Sequence, residues 1–497
     1  MSTATHLEHA AGAEAGAAND TGTSELPTLP GERIWGFWSF TSVNIGLAIA
    51  TWAFLTGGTM ALFVGVKEAV AASLIGNLIG VALVSASTCL PAQKYGLEQF
   101  TTLRTVFGGT GARILTLVLF PPAAAGWNAI LAIMCSRAIA NVLNATAGTD
   151  IKADSPPVVG LALLVIAAAW VLLVLGPVSI EWVNKLVAPL LALMTVAMLV
   201  IILGKHPWHE VAAIKALQPF GDPDMDWMIA IELSLGTGFS WWTIMGNLAR
   251  LTTTPRAALW PNLIGLYGAS VLAAAVGTAA ALALGDADPT VWMIPLGGVL
   301  FGVLALLFIA AANITSMVSQ TYAGSLAIRR AAGGTVARLP WWLFALLIFI
   351  PSVVVSFWPS ALYDNFFKFL AWVSLLLAPL AAVYLVDYFL LRHQRLSVRD
   401  IYLPEGESRY SFWAGVNPVA FLSVAVGAVT YYLILNPLTY EAAGIFRHTT
   451  ATLPAFLVTG VVYYLLTRLV VIPAGKGGYR QPHATPAHPA STQEHQR

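Results

Sequence analysis

Long apolar runs recur along this chain from Phe37 to Ile472, with short polar intervals between them. A helix needs about 20 apolar residues to cross a bilayer. The backbone of such a run must satisfy its own hydrogen bonds, because lipid offers no partners. The runs therefore predict transmembrane helices, which we number as spans one to twelve in chain order, with these approximate bounds: 36–58, 69–91, 111–144, 158–178, 180–204, 227–250, 258–284, 295–328, 339–358, 366–392, 413–435 and 452–473.

Composition supports a chain that faces lipid. Of the 497 residues, 58% are hydrophobic and 10% are charged, whereas soluble domains carry about 25% charged residues. The expected fold class is an all-α polytopic membrane protein with about 12 transmembrane helices. Its loops are too short for a soluble catalytic domain. The net charge of +1 argues against nucleic acid as a partner, and nothing indicates an obligate protein partner; the expected partners are the bilayer and a small solute.

The two ends of the chain differ from the middle. Residues 1–33 and 476–497 lack apolar runs and predict disordered cytoplasmic tails around a transmembrane domain at 34–475. With the amino terminus inside, most of the 25 Lys and Arg residues fall at cytoplasmic ends of spans. The positive-inside rule then predicts both termini in the cytoplasm, in a multi-pass protein of the cell (inner or plasma) membrane.

Two spans contain runs that weaken a helix. Span one has a polar and small run at 41–46 that ends in Gly46, and span six has a run at 234–242 in which Gly236 and Gly238 flank Thr237. Each glycine costs a helix about 1 kcal/mol relative to alanine. Transporters often expose backbone groups at paired helix breaks near the membrane midplane. Close packing through small residues is the alternative, but the separation of the two runs by five spans favours functional breaks.

Span eight carries polar residues through its middle, from Asn313 to Tyr322. Hard cations prefer oxygen ligands. The adjacent hydroxyls of Thr315 and Ser316, facing free carbonyls of a broken span one, therefore predict a sodium site. The alternative is that both hydroxyls bond back to their own helix.

A tryptophan lies deep in span three, where Trp127 precedes Asn128. Most tryptophans of membrane proteins lie at the interfaces, so this position needs another explanation. The face of a Trp ring stacks well on a flat heteroaromatic ring. We predict a substrate sandwiched between Trp127 and Trp241, with Asn128, Ser240 and Gln320 as hydrogen-bond partners.

Several short motifs follow one another in a specific order and spacing. They are Thr56-Gly57-Gly58-Thr59, the run from Leu74 to Gly80, Gly126-Trp127, Ser240-Trp241 with Arg250 nine residues later, and the run from Val386 to Arg392. Together they resemble the nucleobase–cation symporter family, which includes cytosine permeases, purine–cytosine permeases and hydantoin carriers. The resemblance extends from Trp35 to about Arg468.

The resemblance implies a leucine-transporter-type fold of two inverted repeats of five spans, at about 36–204 and 227–392, with peripheral helices at about 413–473. It also implies a secondary active symporter, which imports a nucleobase or related flat nitrogen heterocycle (purine, cytosine or pyrimidine-like) by alternating access. No cofactor is expected apart from a coupling ion, sodium or a proton.

The resemblance also assigns roles to residues. Trp127 would stack on one face of the substrate and an aromatic residue of span six on the other. Counting without a gap places that aromatic at Gly238, which is therefore included among the substrate-binding positions. The stacking role itself passes to Phe239, Trp241 or Trp242, and the Ser-Trp pair favours Trp241. The implied sodium site consists of Gly46, Ile49, Ala312, Thr315 and Ser316.

Departures from the family pattern leave the cargo open. Leu131 stands where hydantoin carriers have a substrate-binding Gln, which argues against hydantoins, and Asn247 stands where relatives commonly have Asp. An amino acid or amine, held by cation–π attraction, is the alternative cargo. A membrane enzyme is disfavoured because most histidines lie in tails or loops. Glu232 in span six is expected to face an aqueous vestibule; a proton-linked or gating carboxylate is the alternative.

Overall fold

The structure is a computed structural model that describes residues 26–174, 178–333 and 336–479. Most of both predicted tails, residues 1–25 and 480–497, lies outside these ranges. The described residues form helices joined by short loops, with three isolated β-bridges as the only extended pairing among them. The all-α prediction is confirmed.

The helices follow the order of the predicted spans. Eight of those described are long and apolar enough to cross a membrane, and the bent pair of span one adds a ninth. The helices assigned to spans six, nine and eleven are shorter or more polar, so the count of twelve stays a prediction. In span order the bounds are Phe37–Ala48 with Thr51–Phe63, Val66–Tyr95, Gly109–Ala147, Pro156–Val174, Val178–Lys205, Pro223–Ser240 with Met245–Ala249, Pro255–Leu284, Pro289–Ala332, Trp341–Val355, Phe366–Leu391, Pro418–Ile434 and Thr452–Val471.

Span eight contains an internal kink near its first end. Gly298 has φ 74° and ψ 172°, a conformation that glycine adopts without the steric penalty of a side chain. The segment before it is a short helix, whose first turn is capped by the Asp288 carboxylate accepting from the Thr290 backbone N–H at 2.8 Å. The 44-residue helix is therefore a short helix followed by the membrane span.

Spans one and seven touch backbone to backbone. A Cβ added to Gly57 would lie 1.9 Å from the carbonyl oxygen of Ala274, and one added to Gly277 would lie 2.1 Å from that of Phe54. Neither position has room for a side chain. The reciprocal contacts fix the separation of the two helices along their length.

Spans two and six make the same kind of contact. A Cβ on either Gly80 or Gly238 would lie 2.8 Å from the Cα of the other. Spans one, two, six and seven pack against one another, and we call them the four-helix unit. Gly236 and Gly238 themselves remain helical, and the helix ends only after them, at the last residues of the run in which the break was predicted. For these two glycines the alternative interpretation, close packing of helices through small residues, is correct.

A buried ion pair holds the last described residues against the transmembrane helices. Asp387 and Arg392 of span ten are 2.6 Å apart, and the same carboxylate accepts from the hydroxyls of Tyr463 at 3.0 Å and Tyr479 at 2.6 Å. Arg392 also donates to the Thr105 carbonyl at 2.6 Å. The chain is therefore bound to the domain as far as Tyr479, beyond the boundary predicted at 475.

Candidate functional site

Span one breaks near its middle. Its first helix ends at Ala48, the backbone of Ile49 leaves the helical region with φ −92° and ψ 80°, and the second helix starts at Thr51 after a 53° bend. The predicted break is confirmed, although it lies three residues beyond Gly46. Helix ends leave backbone groups without partners inside the helix, so the break presents polar backbone atoms inside the protein.

A side chain of span eight holds this break. The Thr51 backbone N–H donates to Asn313 Oδ1 at 3.2 Å, and Asn313 Nδ2 donates to Thr51 Oγ1 at 2.7 Å. Asn313 is fully buried. It satisfies one of the N–H groups that the start of a helix leaves open, as an N-cap residue does, but from a position 262 residues away in the chain.

The predicted sodium ligands are close in sequence to the two residues of this contact: Gly46 and Ile49 precede Thr51, and Ala312, Thr315 and Ser316 flank Asn313. Thr315 Oγ1 donates to the carbonyl of Ala312 at 3.0 Å, so this hydroxyl does bond back to its own helix. Its oxygen lone pairs remain. Ser316 Oγ is buried without a hydrogen-bond partner among the described residues. Ser316 follows Asn313, which contacts the break at Thr51, by three residues on the same helix, and an orphaned hydroxyl is an oxygen ligand of the kind that sodium requires.

Span six breaks after its glycines. A single 3-10 turn at Trp241–Thr243 follows the first helix, and the second starts at Met245. Gln99 bridges the break, because its Nε2 donates to the Trp242 carbonyl and its Oε1 accepts from the Gly246 N–H at 3.0 Å. A carboxamide from another span therefore holds each of the two breaks. The sequence pattern does not predict these roles of Asn313 and Gln99.

Three tryptophans meet at these breaks. The Trp52 ring centroid lies 6.0 Å from that of Trp127 and 5.6 Å from that of Trp241, edge to face in both cases. Trp127 also packs at 5.2 Å against Phe369. The structure thus brings the predicted pair Trp127 and Trp241 into one cluster, and adds Trp52, which the sequence reading missed. One feature of the sequence could have indicated Trp52. It lies two residues after Ala50, at the start of the second helix of span one.

Two of the three predicted polar partners, Asn128 and Gln320, come together. Gln320 Nε2 donates to Asn128 Oδ1 at 2.6 Å, and Asn128 Nδ2 donates to Thr321 Oγ1 at 2.7 Å. Asn128 is fully buried, whereas Gln320 is half-buried. Ser240, also half-buried, donates to the Thr237 carbonyl at 2.6 Å. This arrangement leaves Gln320, rather than Asn128, as the carboxamide with hydrogen-bonding capacity to spare.

Glu232 does not face a vestibule. Its side chain is 2% exposed, and it accepts from the backbone N–H groups of Ala451 at 2.9 Å and Thr452 at 3.1 Å and from the Thr452 hydroxyl. The vestibule prediction was wrong because these donors, at the first turn of span twelve, replace water. A carboxylate is favourable at a helix N-terminus, so Glu232 anchors span twelve to span six.

A cleft of about 540 Å³ opens at the end of the molecule predicted to face outwards. Arg137 is buried in its wall, 2.9 Å from Asp154 and 3.0 Å from Asp288, with its guanidinium 4.1 Å from the Tyr363 ring centre. Burial raises the pKa of Asp364, the neighbouring carboxylates add to the rise, and Arg137 opposes it. The cleft carries an excess of acid.

One family profile matches residues 28–457 of the chain, and its description is permease for cytosine/purines, uracil, thiamine, allantoin. The match covers most of the sequence, including every element of the site. The chain belongs to this permease family. The resemblance noted from the motifs is confirmed, and so is the prediction of a transporter rather than an enzyme.

Relatives of this permease are similar over most of their length. A hydantoin permease of Microbacterium maritypicum is 24% identical over 437 residues, covering 82% of this chain and 84% of the relative. A cytosine permease of Escherichia coli K12 is 24% identical over 443 residues, covering 85% and 96%. A purine-uracil permease of Arabidopsis thaliana is 23% identical over 479 residues, covering 88% and 76%.

Solved structures support the fold. Mhp1, a nucleobase-cation-symport-1 family transporter in a closed conformation with bromovinylhydantoin bound, superposes with a TM-score of 0.73 at 19% identity, covering 90% of this permease and 96% of Mhp1. A Na+-coupled sialic acid symporter gives 0.58 at 13% identity, covering 91% and 94%. The leucine-transporter-type fold is therefore confirmed.

Proposed function

We propose that this permease imports a nucleobase or related flat nitrogen heterocycle together with a cation, by alternating access. The observation that carries the proposal is the meeting of Trp52, Trp127 and Trp241 where spans one and six break, with Trp127 adjacent in the chain to the Asn128–Gln320 pair. Aromatic faces bind flat rings, and carboxamides pair with the N–H and carbonyl groups at a ring edge. The names of the relatives support the same class of cargo.

The proposal gives each residue a separate task. Trp127 and Trp241 stack their rings on the faces of the substrate. Gln320 and Ser240 form hydrogen bonds with the polar groups at its edge. Asn128 positions Gln320, since both ends of its carboxamide already have partners. Gly238, first assigned to the substrate, would contribute by allowing spans two and six to approach.

Leu131 supports nucleobases over hydantoins as cargo. The residue is 2% exposed and apolar, so it offers no hydrogen bond where hydantoin carriers have a Gln. A polar group of the ligand that is buried against Leu131 without a partner loses its hydrogen bond to water, which costs binding free energy.

The coupling ion in this proposal is sodium, held between spans one and eight. Carbonyls near Gly46 and Ile49 would act with Ala312, Thr315 and Ser316 as ligands. The unpartnered Ser316 hydroxyl supports this arrangement. The capping role of Glu232 also supports it, because that carboxylate is committed to span twelve and is not available as a proton carrier in span six.

The Ser316→Ala variant should weaken the sodium dependence of uptake. Loss of one ligand oxygen is expected to raise the sodium concentration for half-maximal uptake by at least about tenfold. Uptake is measured while sodium is replaced by choline at fixed pH. Ser325→Ala is the matched control, since that buried serine of span eight donates to the Thr321 carbonyl at 2.7 Å. Uptake that survives in choline but collapses with a protonophore would instead show proton coupling.

Thermal-shift screening of purified protein tests the cargo class. The panel contains nucleobases, hydantoins, vitamin precursors, amino acids and amines, each with and without sodium. A ligand present well above its dissociation constant should add a few kcal/mol of stability. Stabilisation by nucleobases that strengthens with sodium is the expected result. Stabilisation by amino acids or amines alone would favour the alternative cargo, for which the acidic cleft is the supporting observation.

We also propose that both termini lie in the cytoplasm. A second cleft, of about 150 Å³, is lined by Arg104, Arg113 and Arg330, at loops predicted to be cytoplasmic. Basic residues concentrate on the cytoplasmic side of membrane proteins. A protease added outside intact cells should leave an amino-terminal tag uncut, and cleavage there would reverse the orientation.

A further inference from the structure

The second cleft, of about 150 Å³, lies at the end of the molecule proposed to face the cytoplasm, and we call it the inner cleft. Three separate parts of the chain bring an arginine to it. Arg104 comes from the segment between spans two and three, Arg113 from the start of span three, and Arg330 from the last turn of span eight. Small residues leave the space between the arginines open, namely Gly109, Ala112, Ala327 and Ala331.

The positive charge of the inner cleft is not neutralised by ion pairs. In the described part of the chain, none of the three arginines pairs with a carboxylate. The acid whose charge acts on Arg104 is Glu405. Its oxygens accept from the backbone N–H groups of Gly109 at 3.2 Å and Phe412 at 3.3 Å, so this carboxylate is held by the backbone.

The three guanidinium groups repel one another across the cleft. Burial lowers the pKa of the Arg104 guanidinium, Glu405 raises it, and the charges of Arg113 and Arg330 lower it again. One nitrogen of Arg330, Nη1, is also buried without a hydrogen-bond partner among the described residues. A buried donor without a partner is unfavourable, and native proteins rarely leave one. An anion between the arginines would relieve both the repulsion and the missing hydrogen bond.

The arginines are the lining residues with donors to spare. The Thr101 hydroxyl donates to the Glu98 carboxylate at 2.9 Å, and the Thr116 hydroxyl donates to the Ala112 carbonyl at 2.8 Å. The N–H of Gly109, at the start of span three, is also taken. A ligand is therefore recognised through guanidinium groups, whose planar fork of N–H donors matches the oxygens of phosphates and carboxylates.

We propose that the inner cleft binds a phosphate group, carried by a lipid headgroup or present as free phosphate, between Arg104, Arg113 and Arg330. Three arginines from three directions match the several oxygens of a phosphate better than the two of a carboxylate. Basic pockets between transmembrane helices on the cytoplasmic side bind phosphorylated headgroups. The positive-inside rule places basic residues at this end, but it does not require three of them to line one cleft.

The inner cleft adjoins the segment that bridges the break of span six. Phe100 is part of its wall and follows Gln99, which holds both sides of that break. The Phe100 ring also packs at 6.5 Å against that of Trp242. A phosphate bound to Arg104 would hold this segment against spans three and eight. Binding there requires neither a heterocycle nor sodium, so it goes beyond the proposed transport cycle.

The melting temperature of the purified protein in detergent, measured with three probes, tests the proposal. The probes are short-chain phosphatidylglycerol, phosphatidylcholine with the same tails, and inorganic phosphate compared with chloride at equal ionic strength. Phosphatidylglycerol should raise the melting temperature, and phosphatidylcholine, whose headgroup has no net charge, should raise it less. Stabilisation by phosphatidylglycerol without stabilisation by phosphate identifies a lipid headgroup as the source, and stabilisation by phosphate identifies the free ion. No stabilisation by either would overturn the proposal, as would equal stabilisation by both lipids without any by phosphate.

Arg330→Gln should raise the concentration of the stabilising probe at half-maximal effect by at least about tenfold, because it removes hydrogen bonds between charged groups. Arg329→Gln is the matched control. It removes the same charge from the neighbouring position, but Arg329 lies outside the lining and donates to the Ala337 carbonyl at 2.7 Å. Its midpoint should be unchanged. Equal losses in both variants would overturn the proposal and assign the effect to general surface charge.

Arg113→Gln keeps the test decisive if Arg330→Gln fails to fold. Arg113 is exposed, so its replacement should leave packing intact, and a similar loss of about tenfold is expected. An unchanged midpoint would overturn the proposal. Failure of the wild type to bind any heterocycle would overturn only the cargo assignment, because the inner cleft shares no lining residue with the tryptophan cluster.

Discussion

The Trp127→Ala variant will bind its heterocycle about 5- to 150-fold more weakly than wild type, because stacking on an aromatic side chain contributes about 1–3 kcal/mol per base. Trp127 is half-buried and contacts Trp52 and Phe369 edge to face. Its faces are thus held in place before a ligand binds. The measurement is equilibrium binding of labelled nucleobase to folded protein, after removal of aggregates.

Trp170→Ala is the matched control for this experiment. Trp170 is also half-buried and packs edge to face on another tryptophan, Trp342, at 5.7 Å, but it lies in span four, away from the cluster. Its loss should leave affinity unchanged. Equal losses in both variants would mean that the effect comes from packing, and normal affinity in Trp127→Ala would remove this ring from the site.

The Glu232→Ala variant will lose about 3 kcal/mol of stability, since it leaves three donors of Ala451 and Thr452 unpaired in a buried place. Glu232→Gln should lose much less, because its carbonyl oxygen still accepts from the backbone N–H groups. The measurement is the fraction of detergent-purified protein that stays monodisperse after heating. Glu68→Ala, at an exposed carboxylate in span two, should be neutral.

Uptake separates this structural role from a catalytic one. If Glu232 only anchors span twelve, Glu232→Gln will transport at a normal rate per folded molecule, with an unchanged dependence on external pH. A folded Glu232→Gln protein that no longer accumulates substrate would instead identify the carboxylate as part of the coupling machinery.

Local sequence features predicted where the helices lie and which spans break. Apolar runs gave the helices, and the polar and small run in span one indicated a break. The exact position of that break could not be predicted from local sequence, because it depends on Asn313, which lies 262 residues away in the chain. Likewise, Gly236 and Gly238 lower helix propensity, but contacts with other spans keep them helical.

The site shows the same division between local and distant information. Trp127, Asn128, Trp241 and Gln320 stood out because polar or bulky residues are unusual at mid-membrane, and the structure brings them to the same region. Trp52 did not stand out, since an isolated tryptophan in an apolar run resembles ordinary packing. Glu232 was misread because the donors of span twelve that surround it come from the far end of the chain.

The glycine contacts of the four-helix unit have a consequence for attempts to evolve this permease towards new cargo. Where backbone meets backbone, as at Gly57 and Gly277, no compensating change of a neighbouring side chain can make room for a larger residue. In a library of variants, substitutions at these backbone contacts should therefore be lost under any selection that requires a folded protein. The tryptophan cluster, by contrast, is built from side chains, so substrate range can diverge there while the supporting scaffold stays unchanged.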